Sequence, residues 1–206
     1  MSDARPALFD LPSFESLTPL IGLPPRRQQL FDAFGSLVGV VSGTREPSRL
    51  VLQQGDDGSP ELLHLYELEA GGRLGPFPIG RSGDWTVFTP DGRNLGSIRT
   101  RERVDSAIPS TTPAPWSLRG DGEQRIGRAT MRFHWLQVVP FVGEVAPSTT
   151  DIVLHDTPAA VCTRGPSFGS VLRGRPAIRS RIDVLPTHLS DDDRLLVLAA
   201  ALLAAR

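Results

Sequence analysis

The stretch that decides the fold is the last one, SDDDRLLVLAAALLAAR, residues 190–206. Ser190 followed by Asp193 has the spacing of a capping box with Asp in place of Glu, and the acidic residues at 191–193 suit the positive end of a helix. A helix is therefore predicted over about 191–205. At about 100° per residue, Leu195, Leu196, Val197, Leu198, Leu202 and Leu203 spread around the whole circumference, so no face is left for water. The 11 apolar residues from Leu195 to Ala205 fall well short of the roughly 20 that a membrane span needs. Burying six such side chains is worth at most about 9–18 kcal/mol, comparable to the net stability of a whole domain. The protein itself must enclose this helix.

The rest of the chain supplies the enclosure. From Leu30 onward, short apolar runs (Leu37 to Val41, Leu50 to Leu52, Leu62 to Leu68) alternate with Gly, Pro and Asp clusters such as Gln54-Gly55-Asp56-Asp57-Gly58, the punctuation of strands and turns. Further strands are predicted at Met131 to Val139, Asp151 to Leu154, Ala159 to Thr163, Ser170 to Leu172 and Ala177 to Leu185. Three stretches look like one hairpin written three times: YELEAGGRLGPF from Tyr66, WTVFTPDGRNLGSI from Trp85 and WSLRGDGEQRIGRA from Trp116. Asp91-Gly92 and Asp121-Gly122 are expected to supply positive φ for the turns, and Trp85-x-Val87 and Trp116-x-Leu118 each place two apolar side chains on one face. In Leu95-Gly96-Ser97-Ile98 the apolar residues are three apart, which a regular pleat would send to opposite faces. The Gly therefore marks a bulge or a close backbone approach. The closing motif recurs at Val38-Gly39-Val40-Val41, Val142-Gly143-Glu144-Val145 and Phe168-Gly169-Ser170-Val171. A many-stranded antiparallel sheet with an all-apolar helix is most simply satisfied by closing the sheet around the helix, and small Ala199, Ala200, Ala201, Ala204 and Ala205 keep the rod thin. The alternative is a helix packed between a sheet and a partner subunit.

At this point the chain resembles the Tubby C-terminal-like superfamily, which includes the Tubby proteins, the phospholipid scramblases and the LURP-one-related proteins. The two Trp hairpins and DDDRLLVLAAALLAAR carry the resemblance, which covers about Leu30 to Arg206 and is closest in style to short bacterial LURP-one-like members. It implies a mainly β protein: a closed antiparallel barrel of about 12 strands around a buried hydrophobic C-terminal helix. It also implies a non-enzymatic binding or scaffolding module, with anionic phospholipid at a membrane surface, or a protein, as partner.

Composition agrees with one domain. The 206 residues are 39% hydrophobic and 22% charged with a net charge of -1, which gives no bulk pull toward nucleic acid. Every basic residue is Arg and Asn occurs only at Asn94, usage that fits a GC-rich bacterial genome. Cys162 is the lone cysteine, which excludes intrachain disulfides and thiolate zinc clusters. The first residues carry acidic groups and no apolar core like that of a secretory signal, so a cytoplasmic protein without a transmembrane segment is expected. Residues 1–28 are Pro-rich and read as an arm, a candidate protein contact, ahead of a barrel domain at 29–206.

Candidate chemistry is sparse. Arg164, Arg173, Arg175, Arg179 and Arg181 form a basic excess that could hold an anionic headgroup through bidentate guanidinium pairs; the same alternation is that of a solvent-facing strand side. Gly165-Pro166-Ser167-Phe168-Gly169 matches the nucleophile-elbow pattern, but the following residues do not suit the helix an elbow requires. His64, His134, His155 and His188 are scattered, although His155, Asp156 and Ser167 could meet at a barrel mouth and give a hydrolase or small-molecule site. The Asp191-Asp192-Asp193 run lacks the alternation of a calcium loop. No P-loop, dinucleotide fingerprint, paired-His motif or nucleic-acid module is present, so no metal or cofactor is expected.

Overall fold

The computed structural model describes residues 7–19, 27–44, 49–56, 58–68, 73–74, 77–78, 84–99, 115–132, 147–167, 177–185 and 188–205. A short helix α1 (Ala7–Asp10) precedes strands β1 (Ser13–Pro19), β2 (Gln28–Phe31), β3 (Leu37–Thr44), β4 (Arg49–Gln54) and β5 (Glu61–Glu67). A two-stranded ribbon follows, β6 (Arg73–Leu74) with β7 (Phe77–Pro78). The chain then forms β8 (Trp85–Phe88), β9 (Asn94–Arg99), β10 (Trp116–Arg119), β11 (Arg125–Arg132), β12 (Ser148–Leu154), β13 (Thr157–Pro166) and β14 (Ala177–Val184), and ends in helix α2 (Asp191–Ala205). Twelve strands close into an antiparallel barrel in the order β1-β14-β13-β12-β11-β10-β9-β8-β5-β4-β3-β2. All neighbours except the β1·β14 and β5·β8 pairs are consecutive in the chain, so the barrel is a meander interrupted once by the ribbon.

Helix α2 is enclosed as its composition requires. Leu195, Leu196, Val197, Leu198 and Leu202 are buried and Leu203 is half-buried against the core. The Ser190 hydroxyl accepts from the Asp193 N–H at 3.2 Å and donates to the Asp193 carboxylate at 2.8 Å, while the Ser190 carbonyl accepts the first helical bond from Arg194. At the other end, buried Ser180 donates to the Ala205 carbonyl at 2.9 Å, satisfying one of the orphan acceptors of the last turn. Among the described residues no helix is long and apolar enough to cross a membrane.

The hairpin turns at 32–36, 55–60, 89–93, 120–124 and 155–156 share one rim with the start of α2; call it the upper rim. Just below each of these turns, one extra residue is inserted in the returning strand. The register steps from Leu30↔Gly39 to Phe31↔Leu37, from Leu52↔Leu63 to Gln53↔Glu61, from Val87↔Gly96 to Phe88↔Asn94, from Leu118↔Gly127 to Arg119↔Arg125 and from Ile152↔Ala160 to Val153↔Pro158. A bulge turns the inserted residue out of the regular pleat. Here Val38, Leu62, Leu95, Ile126 and Ala159 all turn onto the core. That resolves the three-residue spacing of Leu95 and Ile98, which are both buried.

Three expectations need correction. Residues 13–19, read as part of an arm, form the strand that closes the barrel, paired from Ser13↔Asp183 to Pro19↔Ala177 with β14 and from Glu15↔Phe31 to Leu17↔Gln29 with β2. The strand shows little apolar signal because its inward positions are Phe14, Ser16 and Thr18, two of them small and polar. Ser16 accepts from buried Gln28 at 2.6 Å. Second, Tyr66 lies within β5 instead of opening a hairpin, since β5 pairs directly with β8. The third copy of the Trp hairpins is Phe31–Val41: Gly35, Gly92 and Glu123 donate to Asp32, Thr89 and Gly120 in the same turn. Third, the left-handed residue of the 120–124 turn is Glu123 (φ 61°), in the place taken by Gly35 and Gly92, and not Gly122. The strands expected at 133–139 and 170–172 lie outside the described residues.

Candidate functional site

The three candidate arginines among the described residues, Arg164, Arg179 and Arg181, do not share one face. Arg179 and Arg181 point outward from β14, at positions that alternate with buried Ser180 and Ile182. Arg179 is engaged by Glu15 of β1, through Nε at 3.0 Å and also through its terminal nitrogen. Arg181 donates to Asp183 at 2.9 Å, a bond that raises the guanidinium's pKa above its ordinary value. Arg164 points the other way: it is 7% exposed, inside the barrel, facing Ser148 and Ser180 across the register. That layer lies at the lower end of α2, where the last helical carbonyls favour a cation. Arg173 and Arg175 lie outside the described residues.

The hydrolase constellation is not assembled. His155 and Asp156 form the two-residue β12–β13 turn, both at positive φ (48° and 58°). Ser167 follows the far end of β13, a strand of 10 residues, so about 30 Å separates them at the rise of an extended chain. The Ser167 N–H donates to the Ala177 carbonyl, which prolongs strand pairing instead of opening a helix; Phe168 and Gly169 lie outside the described residues. His155 instead lies 3.3 Å from Asp193, tying the turn to the start of α2. Asp192 pairs with Arg93 of the β8–β9 turn. The acidic run is thus spread over capping and rim contacts, and among the described residues no three His, Cys, Asp or Glu side chains gather in a way that could hold a metal ion.

Cys162 is buried on the inner face of β13, and burial pushes its thiol up to about 12, with Arg164 opposing the shift. A thiol held protonated is a packing group and not a nucleophile. On the outer face, the His64 Nε2–H donates to the Glu61 carboxylate at 2.6 Å and the ring lies 3.2–3.3 Å from an Arg49 nitrogen, while Arg49 also covers the Tyr66 ring at 5.5 Å. The alternation Leu63-His64-Leu65-Tyr66 foretells which of these residues face outward.

Among the described residues, a feature with room for a ligand lies at the upper rim, inside the barrel. The α2 backbone packs most closely on β13, β12, β9 and β14. The space left beside it is a cavity of about 290 Å³. Its helix wall is Arg194, Val197, Leu198 and Ala201, at spacings i, i+3, i+4 and i+7 that fall on one stripe. Phe14 of β1, Ala160 of β13 and Ile182 and Val184 of β14 form the sheet wall, and the segment from Leu8 to Pro12 forms the roof. Leu8 is 2% exposed. The volume is at the small end of ligand pockets and about twice that of an engineered apolar cavity that binds benzene. A small-molecule site at a barrel mouth is the alternative expectation, but the sequence does not foretell its lining residues, because β1, which supplies Phe14, shows little apolar signal.

Comparison with protein-family models, with curated proteins and with solved structures finds no match.

Proposed function

We propose that this chain is a non-enzymatic binding module, a Tubby- or LURP-one-like barrel that takes one small, largely apolar molecule into the cavity beside α2. The observation that carries this reading is the cavity itself, a largely apolar space of about 290 Å³ between α2 and the sheet. Close packing is the norm in cores, and voids much larger than a water molecule are few. The scattering of His155, Asp156 and Ser167 favours binding over catalysis. Headgroup docking on the outer Arg face has less support, because Glu15 and Asp183 already occupy Arg179 and Arg181.

The test is a methyl-resolved NMR titration with 1-octanol, whose size matches the roughly ten water-sized units that the volume holds. Saturable shifts are expected at Val197, Leu198 and Ile182 and not at Leu52 of β4, with Kd about 0.1–1 mM. Ala201→Leu, which fills the deep end, should abolish them; Val184→Trp, at the sheet wall, is the second filling variant should the first fold poorly. Non-saturating or uniformly spread shifts reject the reading.

A further inference from the structure

The cavity has a polar end and an apolar end, and their order along α2 is informative. Arg194 stands in the first turn, at the rim; Val197 and Leu198 follow; Ala201, the smallest side chain of the stripe, stands deepest. Seven residues at 1.5 Å each place Ala201 about 10 Å below Arg194. The width is set by Phe14, Ile182 and Val184 on the facing strands. The lining thus passes from charged side chains at the rim to a small apolar one at depth.

Charge at the mouth comes from Arg194 and Asp10. Arg194 is half-buried, and its backbone N–H is spent on Ser190. No carboxylate among the described residues lies within ion-pair distance of its guanidinium, whereas Arg93, Arg99, Arg132, Arg179 and Arg181 each carry one. The three aspartates that open α2 do not line the cavity; Asp192 turns to Arg93 and Asp193 to Ser190 and His155. Asp10 is exposed on the roof, where an ammonium group would gain no more than a surface ion pair does. A half-desolvated guanidinium rewards a bidentate carboxylate more strongly.

Resting on the cavity reading above, we infer that the ligand is a single aliphatic chain of roughly eight to ten carbons bearing a carboxylate, its tail toward Ala201 and its head on Arg194. The volume excludes a two-chain lipid, and the linear order of Arg194, Val197, Leu198 and Ala201 along α2 suits an unbranched chain. Arg194 is the residue that selects the head group; Val197, Leu198 and Ala201 accept the tail.

Calorimetric titration of the full chain with octanoate, 1-octanol and octyltrimethylammonium separates these claims. Octanoate is expected to bind about tenfold more tightly than 1-octanol, the scale of one charge-assisted pair. Arg194→Gln should bring octanoate down to the level of 1-octanol and leave 1-octanol unchanged. If octanoate binds no tighter than 1-octanol, or Arg194→Gln does not weaken it, the carboxylate assignment fails while the cavity reading stands. If octyltrimethylammonium binds best and Asp10→Asn weakens it, the head-group sign is reversed and the inference is overturned. If none of the three binds, cavity and ligand fall together.

Discussion

Gly96→Ala is the substitution on which the bulge geometry makes its sharpest statement. Gly96 has φ +140°, and a Cβ built on it would lie 2.1 Å from the Arg119 carbonyl oxygen and 3.2 Å from the Gly120 Cα. The obstacle is the backbone of β10, which no rotamer change can move. Relief requires β9 to part from β10 near Ser97↔Arg119, or φ to leave the value that the bulge imposes. Holding an L-residue at such a φ costs about 1–3 kcal/mol, and forcing extra atoms into a packed wall about 1–3 more, so a loss of about 4 kcal/mol is expected. For a chain of this size each kcal/mol moves Tm by about 2–4 °C, giving a fall of about 8–16 °C. Urea and thermal unfolding followed by the fluorescence of half-buried Trp85 and Trp116 is the assay. The control is Gly165→Ala in β13, where a Cβ meets nothing within 4 Å; its effect should stay within about 1 kcal/mol. Equal melting temperatures for the two variants would refute the close-approach explanation of the apolar-Gly-x-apolar motif.

Three further outcomes are expected. Leu196→Ala, at a site 1% exposed, should cost about 2–5 kcal/mol and clearly more than the same change at half-buried Leu203; equal losses in urea titrations would mean that α2 is not enclosed. Cys162, its thiol raised to about 12 by burial, should resist a thiol reagent at pH 8 in the native state and react fully in denaturant; rapid native labelling contradicts its place in the wall. Asp192 is held below its ordinary value of 3.8, chiefly by the hydrogen bond from Arg93. A lowered folded pKa means that the unfolded chain binds more protons, so this pair stabilises above about pH 4 and its contribution is lost as pH falls below that. Both side chains are about half-exposed, so the effect is small and salt-sensitive. The stability gap between the parent and Arg93→Ala should therefore close on acidification; a gap constant from pH 7 to pH 3 contradicts the pair.

Much of this architecture was legible before any coordinates. Local chemistry decides it: Ser190 and Asp193 cap a helix wherever that helix sits, and a rod apolar on every side admits no wet environment. Leu95-Gly96-Ser97-Ile98 declares a bulge because the pleat alone cannot put Leu95 and Ile98 on one face. The alternation Arg179-Ser180-Arg181-Ile182 likewise announces which side chains turn outward. What it does not announce is that Glu15, 164 residues away, neutralises Arg179, since partners so remote in sequence are chosen by closure of the sheet.

From its sequence alone this protein is committed to enclosing α2 and to making the Trp85 and Trp116 hairpins. Only the tertiary structure decides that Ser13–Pro19 closes the barrel, that Phe31–Val41 repeats those hairpins, and that a cavity lies beside α2. The physical reason is common to all three. Ser16 and Thr18 are inward-facing without being apolar, so β1 carries no hydrophobic pattern of its own, and its place is fixed by the open edges of β2 and β14. The cavity, too, belongs to no single segment: it is the difference between the girth of a twelve-stranded barrel and the thinness of an alanine-rich helix.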